Sequence, residues 1–171
     1  MQKPNVWFIM MDQARWDALG CYGNEICETV NLDYFAAQGT VFKNCYTPTP
    51  TCLPARSSLL TGKDPWNVGV MYADPSKKGT PDLGTTLPKV LSDNGYHTQC
   101  VGELGFYPLR ALHGFHNVRL DCLNPEFESD YKLWFDQNKP ADCGHFDHGL
   151  GPNSWMCRPW HPPEYLHPTV W

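Results

Sequence analysis

Residues 5–11 read NVWFIMM and stop at Asp12. An unbroken apolar run of this length, bounded by a polar turn, predicts a strand covered on both faces. Asn31 as a cap and Gly39 as a terminator predict a helix over 32–38. The β-branched, alternating stretch 40–46 predicts a second strand. A proline in the first turn and Gly62 just past the end mark a helix over 54–61. Thr86 caps the next pattern, 87–94, which stops at Gly95 and is followed by a strand over 96–101. Residues 128–138 predict one more amphipathic helix, with Tyr131, Leu133, Trp134 and Phe135 as its apolar side. Strands interleaved with helices in this order predict an α/β fold with a mainly parallel sheet.

The pattern changes at the C-terminal end. Residues 145–171 hold five prolines and three tryptophans and follow neither period. The expected organisation is therefore a patterned part, 1–144, and an extended Pro/Trp-rich segment of the same domain, 145–171. So much aromatic surface needs something to pack on.

Composition narrows the function classes. The formal net charge is −5 with a pI near 5.7, so the chain is a poor match for nucleic acid or an anionic membrane surface. Charged residues make up 18% and aromatics 13%, a balance that argues against disorder. No apolar run is long enough for a signal peptide or a membrane span, so the expected location is cytoplasmic by default. Eight cysteines without a CxxC pair are expected to be mostly free thiols.

Chemistry concentrates in 48–62, PTPTCLPARSSLLTG. Cys52, Pro54 and Arg56 form C-x-P-x-R, which this composition would produce by chance about 0.02 times. Cys52 falls at a helix N-terminus, where backbone N–H groups and the dipole favour an anion. Arg56 lies four residues on, along the same helical face, with a planar fork suited to oxyanions.

C-x-P-x-R followed by Leu59-Leu60-Thr61-Gly62 resembles the modification signature of the sulfatases. Asp12-Gln13 after the first strand, the stretch Arg15 to Asn24, Asn31-Leu32-Asp33, Gly95-Tyr96-His97-Thr98, His113-Gly114-Phe115 and the late HGLGPNSWMCRPW are similar to the same family. The resemblance implies a three-layer α/β sandwich of the alkaline-phosphatase-like type, here incomplete. It also implies that Cys52 is oxidised to formylglycine, whose hydrate offers a geminal diol. One diol oxygen attacks the sulfur of a sulfate ester and the alcohol leaves; the second hydroxyl then re-forms the aldehyde and expels sulfate. Asp12 and Gln13 match the first pair of metal ligands, with the oxidised Cys52 as a third, for calcium or magnesium. Their oxygen donors suit a hard cation, whereas a thiol does not. Asp12 just past a strand end also stands where open α/β sheets bind ligands. Implied partners are a small sulfate ester or sulfated sugar and a maturation enzyme, oxygen-dependent or radical-based.

Three positions depart from the family. Leu53 stands where a small residue is more usual. Glu103 and Gly105 occupy the places of a lysine and a histidine that contact the sulfate and the formylglycine. A carboxylate for a cation, at about 4 Å and an effective dielectric near 20, changes an attraction of about 4 kcal/mol into a repulsion of the same size. His97, His113 and His116 are read as loop or surface histidines rather than replacements. Nor does the sequence contain the family's second pair of metal ligands, so the chain is expected to be the N-terminal part of a sulfatase, inactive by itself. Three alternatives stand beside this reading. One is a phosphonate or phosphate ester hydrolase of the same superfamily. Another is a catalytically silent sulfatase-like remnant. The last is a zinc module on Cys143, His145, His148, Cys157 and His161, whose spacing fits no standard finger.

Overall fold

In the computed structural model, which describes residues 3–72, 82–122 and 127–141, the chain divides into two units, Met1–Thr47 and Pro48–Trp171. The segment 145–171, with its prolines and tryptophans, lies outside the described residues, as do the Cys/His cluster from Cys143 to His161 and the 144/145 boundary.

The first unit holds two 3-10 turns, Trp16–Ala18 and Gly20–Tyr22, and the helix α1, Val30–Gln38. Neither strand expected here forms. Residues 5–11 and 40–46 are irregular, and Trp7 is 87% exposed. A strand exists only with a hydrogen-bonding neighbour, and a parallel neighbour must come from beyond a crossover of about a dozen residues. Among the described residues of this unit no such neighbour is present, so apolar content alone does not make a strand. α1 starts earlier than expected, with Thr29 rather than Asn31 at its cap. The Thr29 hydroxyl donates to Asp33 (3.0 Å) and accepts from Gly20 N–H (2.8 Å). Asp33 Oδ1 also accepts from Cys21 N–H at 2.7 Å, so one carboxylate ties the 3-10 turn to the first turn of the helix.

The second unit contains α2 (Cys52–Thr61), α3 (Pro65–Val68), α4 (Leu87–Asp93), β1 (Gln99–Gly102), β2 (Asn117–Leu120) and α5 (Asp130–Asn138). β1 and β2 pair in parallel, Gln99 opposite Asn117 and Gly102 opposite Leu120. This is the α/β, parallel arrangement that the sequence predicts, with β1 shorter and later than 96–101. The four residues of β2 are too few to show a period. Leu60 of α2, Leu83, Leu104 and Phe106 form one core, with Leu53, Cys100 and Val118 at its edge. Leu109, Leu120 and Cys122 form a second.

Thr86 caps α4 as expected: its hydroxyl accepts from Lys89 N–H and donates to the His113 carbonyl at 2.7 Å. Gly114 sits at φ 93°, and a Cβ there would lie 2.5 Å from Thr86 Oγ1 and 2.7 Å from the Lys89 backbone nitrogen. The His-Gly-Phe turn is therefore pressed onto the N-terminus of α4, an approach that only glycine permits.

His113 lies in a turn, as the loop-or-surface reading allows, but its imidazole is partly buried. Its ring lies 5.0 Å from Phe106 and its Nε2 is enclosed. Burial holds its pKa below the ordinary 6.5. The unfolded chain therefore takes up a proton first as pH falls, and folding stability drops through about pH 6.5 and below, levelling only under the folded value. Urea midpoints at about pH 7 and pH 5 are expected to differ more for the wild type than for His113→Asn. Equal differences would remove His113 as the cause. His97 and His116 are exposed and stacked at 5.0 Å, and Thr98 N–H donates to His116 Nδ1.

Candidate active site

Cys52 is the first residue of α2 and is exposed. Thr51 precedes it in an extended conformation and makes no side-chain cap, which leaves the helix opening to backbone N–H groups. Further along α2 a different face is buried. Pro54, Ser57 and Leu60 point inward, and the Ser57 hydroxyl donates to the Pro54 carbonyl at 2.8 Å. Arg56 is buried with them, its side chain only 8% exposed.

Arg56 Nη2 lies 3.4 Å from Glu103 Oε2, just beyond the end of β1. Gly105, at φ 77°, lies under the same guanidinium: a Cβ there would stand 2.9 Å from Arg56 Nη1 and 3.0 Å from Leu53 Cδ2. Glu103 and Gly105 thus both adjoin the Arg56 guanidinium, and Leu53 adjoins Gly105. Sequence reasoning treated Glu103 as a charge facing a sulfate and missed that it faces Arg56. The readable signal was the opposite sign of the two residues. Cys100, on β1, is also close: burial raises its thiol pKa, and the charge of Arg56 opposes that shift.

Asp12 and Gln13 belong to the first unit, in an exposed bend that follows the unpaired segment rather than a buried strand. Gln13 has φ 52°, a left-handed conformation that costs a non-glycine residue about 1 kcal/mol or more. Such strain is often found where a side chain must be aimed at a ligand. As donors, a carboxylate and an amide oxygen are right in kind for calcium or magnesium. They are too few for an ion that takes about six to eight oxygens. Among the described residues no three His, Cys, Asp or Glu converge on a point that would hold a metal.

No helix among the described residues is long and apolar enough to cross a membrane.

Comparison with known proteins agrees with the signature at α2. The chain is 41% identical to an arylsulfatase of Clostridium perfringens, over 99% of its own length and 38% of that protein's. It is 38% identical to N-acetylgalactosamine-6-sulfatase of Homo sapiens over 67% of this chain and 24% of that one. With arylsulfatase A of Homo sapiens it shares 37% identity over 67% of this chain and again 24% of the relative. It therefore spans well under half the length of these relatives. Residues 4–145 match the profile described as Sulfatase, and the chain belongs to the sulfatase family.

Proposed function

We propose that this chain is the N-terminal part of the catalytic domain of a sulfate-ester hydrolase, built as an alkaline-phosphatase-like three-layer sandwich of which β1 and β2 are two strands. The observation that carries the reading is Cys52, exposed at the open N-terminus of α2 with a buried arginine one turn behind it. Oxidised to formylglycine, Cys52 supplies a hydrated aldehyde able to attack sulfur and then release sulfate without hydrolysis of a stable ester. The helix N-terminus stabilises negative charge at that position, and Arg56 orients the group from below. Asp12, Gln13 and the oxidised Cys52 would each offer an oxygen donor to a divalent cation, calcium or magnesium, and such an ion would polarise the sulfate. Remaining oxygen donors come from outside the described residues. The substrate is a small aryl sulfate or a sulfated sugar, as the names of the relatives suggest, and a maturation enzyme is the required partner.

Co-expression with a formylglycine-generating enzyme, oxygen-dependent or radical-based, tests this directly. Mass spectrometry of the peptide bearing Cys52 is expected to show replacement of the thiol-bearing CH2–SH by an aldehyde, absent in Cys52→Ala. A Cys52 that stays a thiol with both classes of enzyme would overturn the reading.

The Arg56–Glu103 contact favours a second reading, a sulfatase-like chain of low turnover, because the cation nearest Cys52 along α2 already faces a carboxylate.

A further inference from the structure

We propose that Glu103 is a charge-selecting residue, which holds Arg56 in a neutral pair and thereby restricts the Cys52 site to esters bearing a single negative charge. This rests on the ester-hydrolase reading and narrows its substrate class to monoanions, sulfate monoesters and phosphate diesters alike, against dianionic phosphate monoesters.

Arg56 lies one turn behind Cys52 on a shared helical face, so its charge is the nearest fixed cation along α2. A free guanidinium there would favour any oxyanion, and a dianion most. In this chain the guanidinium is buried, with Glu103 Oε2 at 3.4 Å. Space is what permits this arrangement. Gly105 leaves room for Nη1, and a side chain at 105 would press on both Arg56 and Leu53. The Glu103 side chain is 24% exposed, so its charge is only partly screened by protein and acts on an anion approaching from solvent as well as on Arg56.

The effect has a readable size. Taking a separation of about 8 Å and an effective dielectric near 20, a unit charge changes affinity about thirtyfold per ligand charge. Replacing Glu103 by glutamine keeps the shape and removes the charge. A monoanion then gains that factor once and a dianion gains it twice, so their ratio changes by about thirtyfold.

The experiment uses the full chain with Cys52 as a thiol, so binding is read independently of formylglycine. Titration calorimetry at about pH 8, where an aryl phosphate carries nearly two charges, compares 4-nitrophenyl sulfate with 4-nitrophenyl phosphate. The wild type is expected to prefer the sulfate, Glu103→Gln to reduce that preference about thirtyfold, and Glu103→Asp to keep it within about threefold. Circular dichroism melts show that each variant is folded. An unchanged ratio in Glu103→Gln, an equal shift in Glu103→Asp, or no binding of either ester by wild type and Glu103→Gln would overturn the proposal. The two readings fail separately. A Cys52 that resists oxidation in a chain that still discriminates by charge leaves charge selection standing and removes the sulfatase chemistry. Oxidation of Cys52 with an unchanged ratio does the reverse.

Discussion

Phe135→Ala is expected to destabilise the second unit by about 3–5 kcal/mol, the range for emptying a fully enclosed aromatic site. Phe135 has no exposed surface, whereas Leu133 and Trp134, its neighbours on α5, are 41% and 45% exposed. Phe135 is therefore the fully enclosed side chain of α5, a helix that lies against β2. The ring lies 6.2 Å from that of Tyr131, and Lys139 Nζ stands 5.5 Å from its centroid. The helix is also held at its start. Ser129 accepts from Lys132 N–H, and Asp130 Oδ2 accepts from Leu120 N–H of β2 and from Arg110. The Leu120 amide is the main reason that the Asp130 carboxyl is pushed below its ordinary range. These polar ties fix where α5 begins; the apolar stabilisation comes from Phe135. Thermal unfolding by circular dichroism is expected to show a midpoint about 10 °C lower or more for Phe135→Ala. For Trp134→Ala the expected cost is smaller, about 1–2 kcal/mol, since the ring is 45% exposed and its removal leaves no enclosed cavity. Similar costs for both would show that α5 docks through a different face.

That contrast also shows what the sequence could and could not convey. The pattern at 128–138 named the helix and all four apolar residues, but not which of them meets the sheet, because adjacent positions differ by only about 100° around a helix. Capping chemistry was legible at α2 and α4 but misplaced at α1, where Thr29 rather than Asn31 stands at the cap. Thr86 and Gly62 do what their types predict, since a cap needs only residues close in sequence. Strands were legible only where their partners lie in the same unit. β1 was found, while 5–11 was misread because hydropathy reports how much a segment wants to be covered and says nothing about what covers it. At the candidate site, Cys52 and Arg56 were legible from a fixed spacing of four on one helix. The contact of Arg56 with Glu103 spans 47 residues, and no periodicity encodes it. Gly105 looked like the loss of a side chain, whereas its φ of 77° and its closeness to Arg56 make it the position that gives the guanidinium room.

Arg56→Ala is expected to cost about 2–4 kcal/mol of stability, and the reasons separate in a double-mutant cycle. Truncation removes a side chain that is only 8% exposed, a loss of apolar burial as well as of charge. It also leaves Glu103 without this partner. Breaking a fully buried pair from one side costs about 3–5 kcal/mol. Here the carboxylate is 24% exposed and the contact is 3.4 Å, so Glu103 can turn toward water and the expected cost falls below that range. Arg56→Lys keeps a cation but not the planar fork, and is expected to recover part of the loss. Urea unfolding of Arg56→Ala, Glu103→Ala and the double variant is expected to give a coupling energy of about 1–2 kcal/mol, the double variant being less destabilised than the sum of the singles. A coupling near zero would mean that the pair seen at 3.4 Å contributes nothing to stability. Glu103 would then not be what fixes the Arg56 guanidinium in place. A clear coupling would instead make the neutral pair a stable part of the fold, one that an incoming anion must compete against.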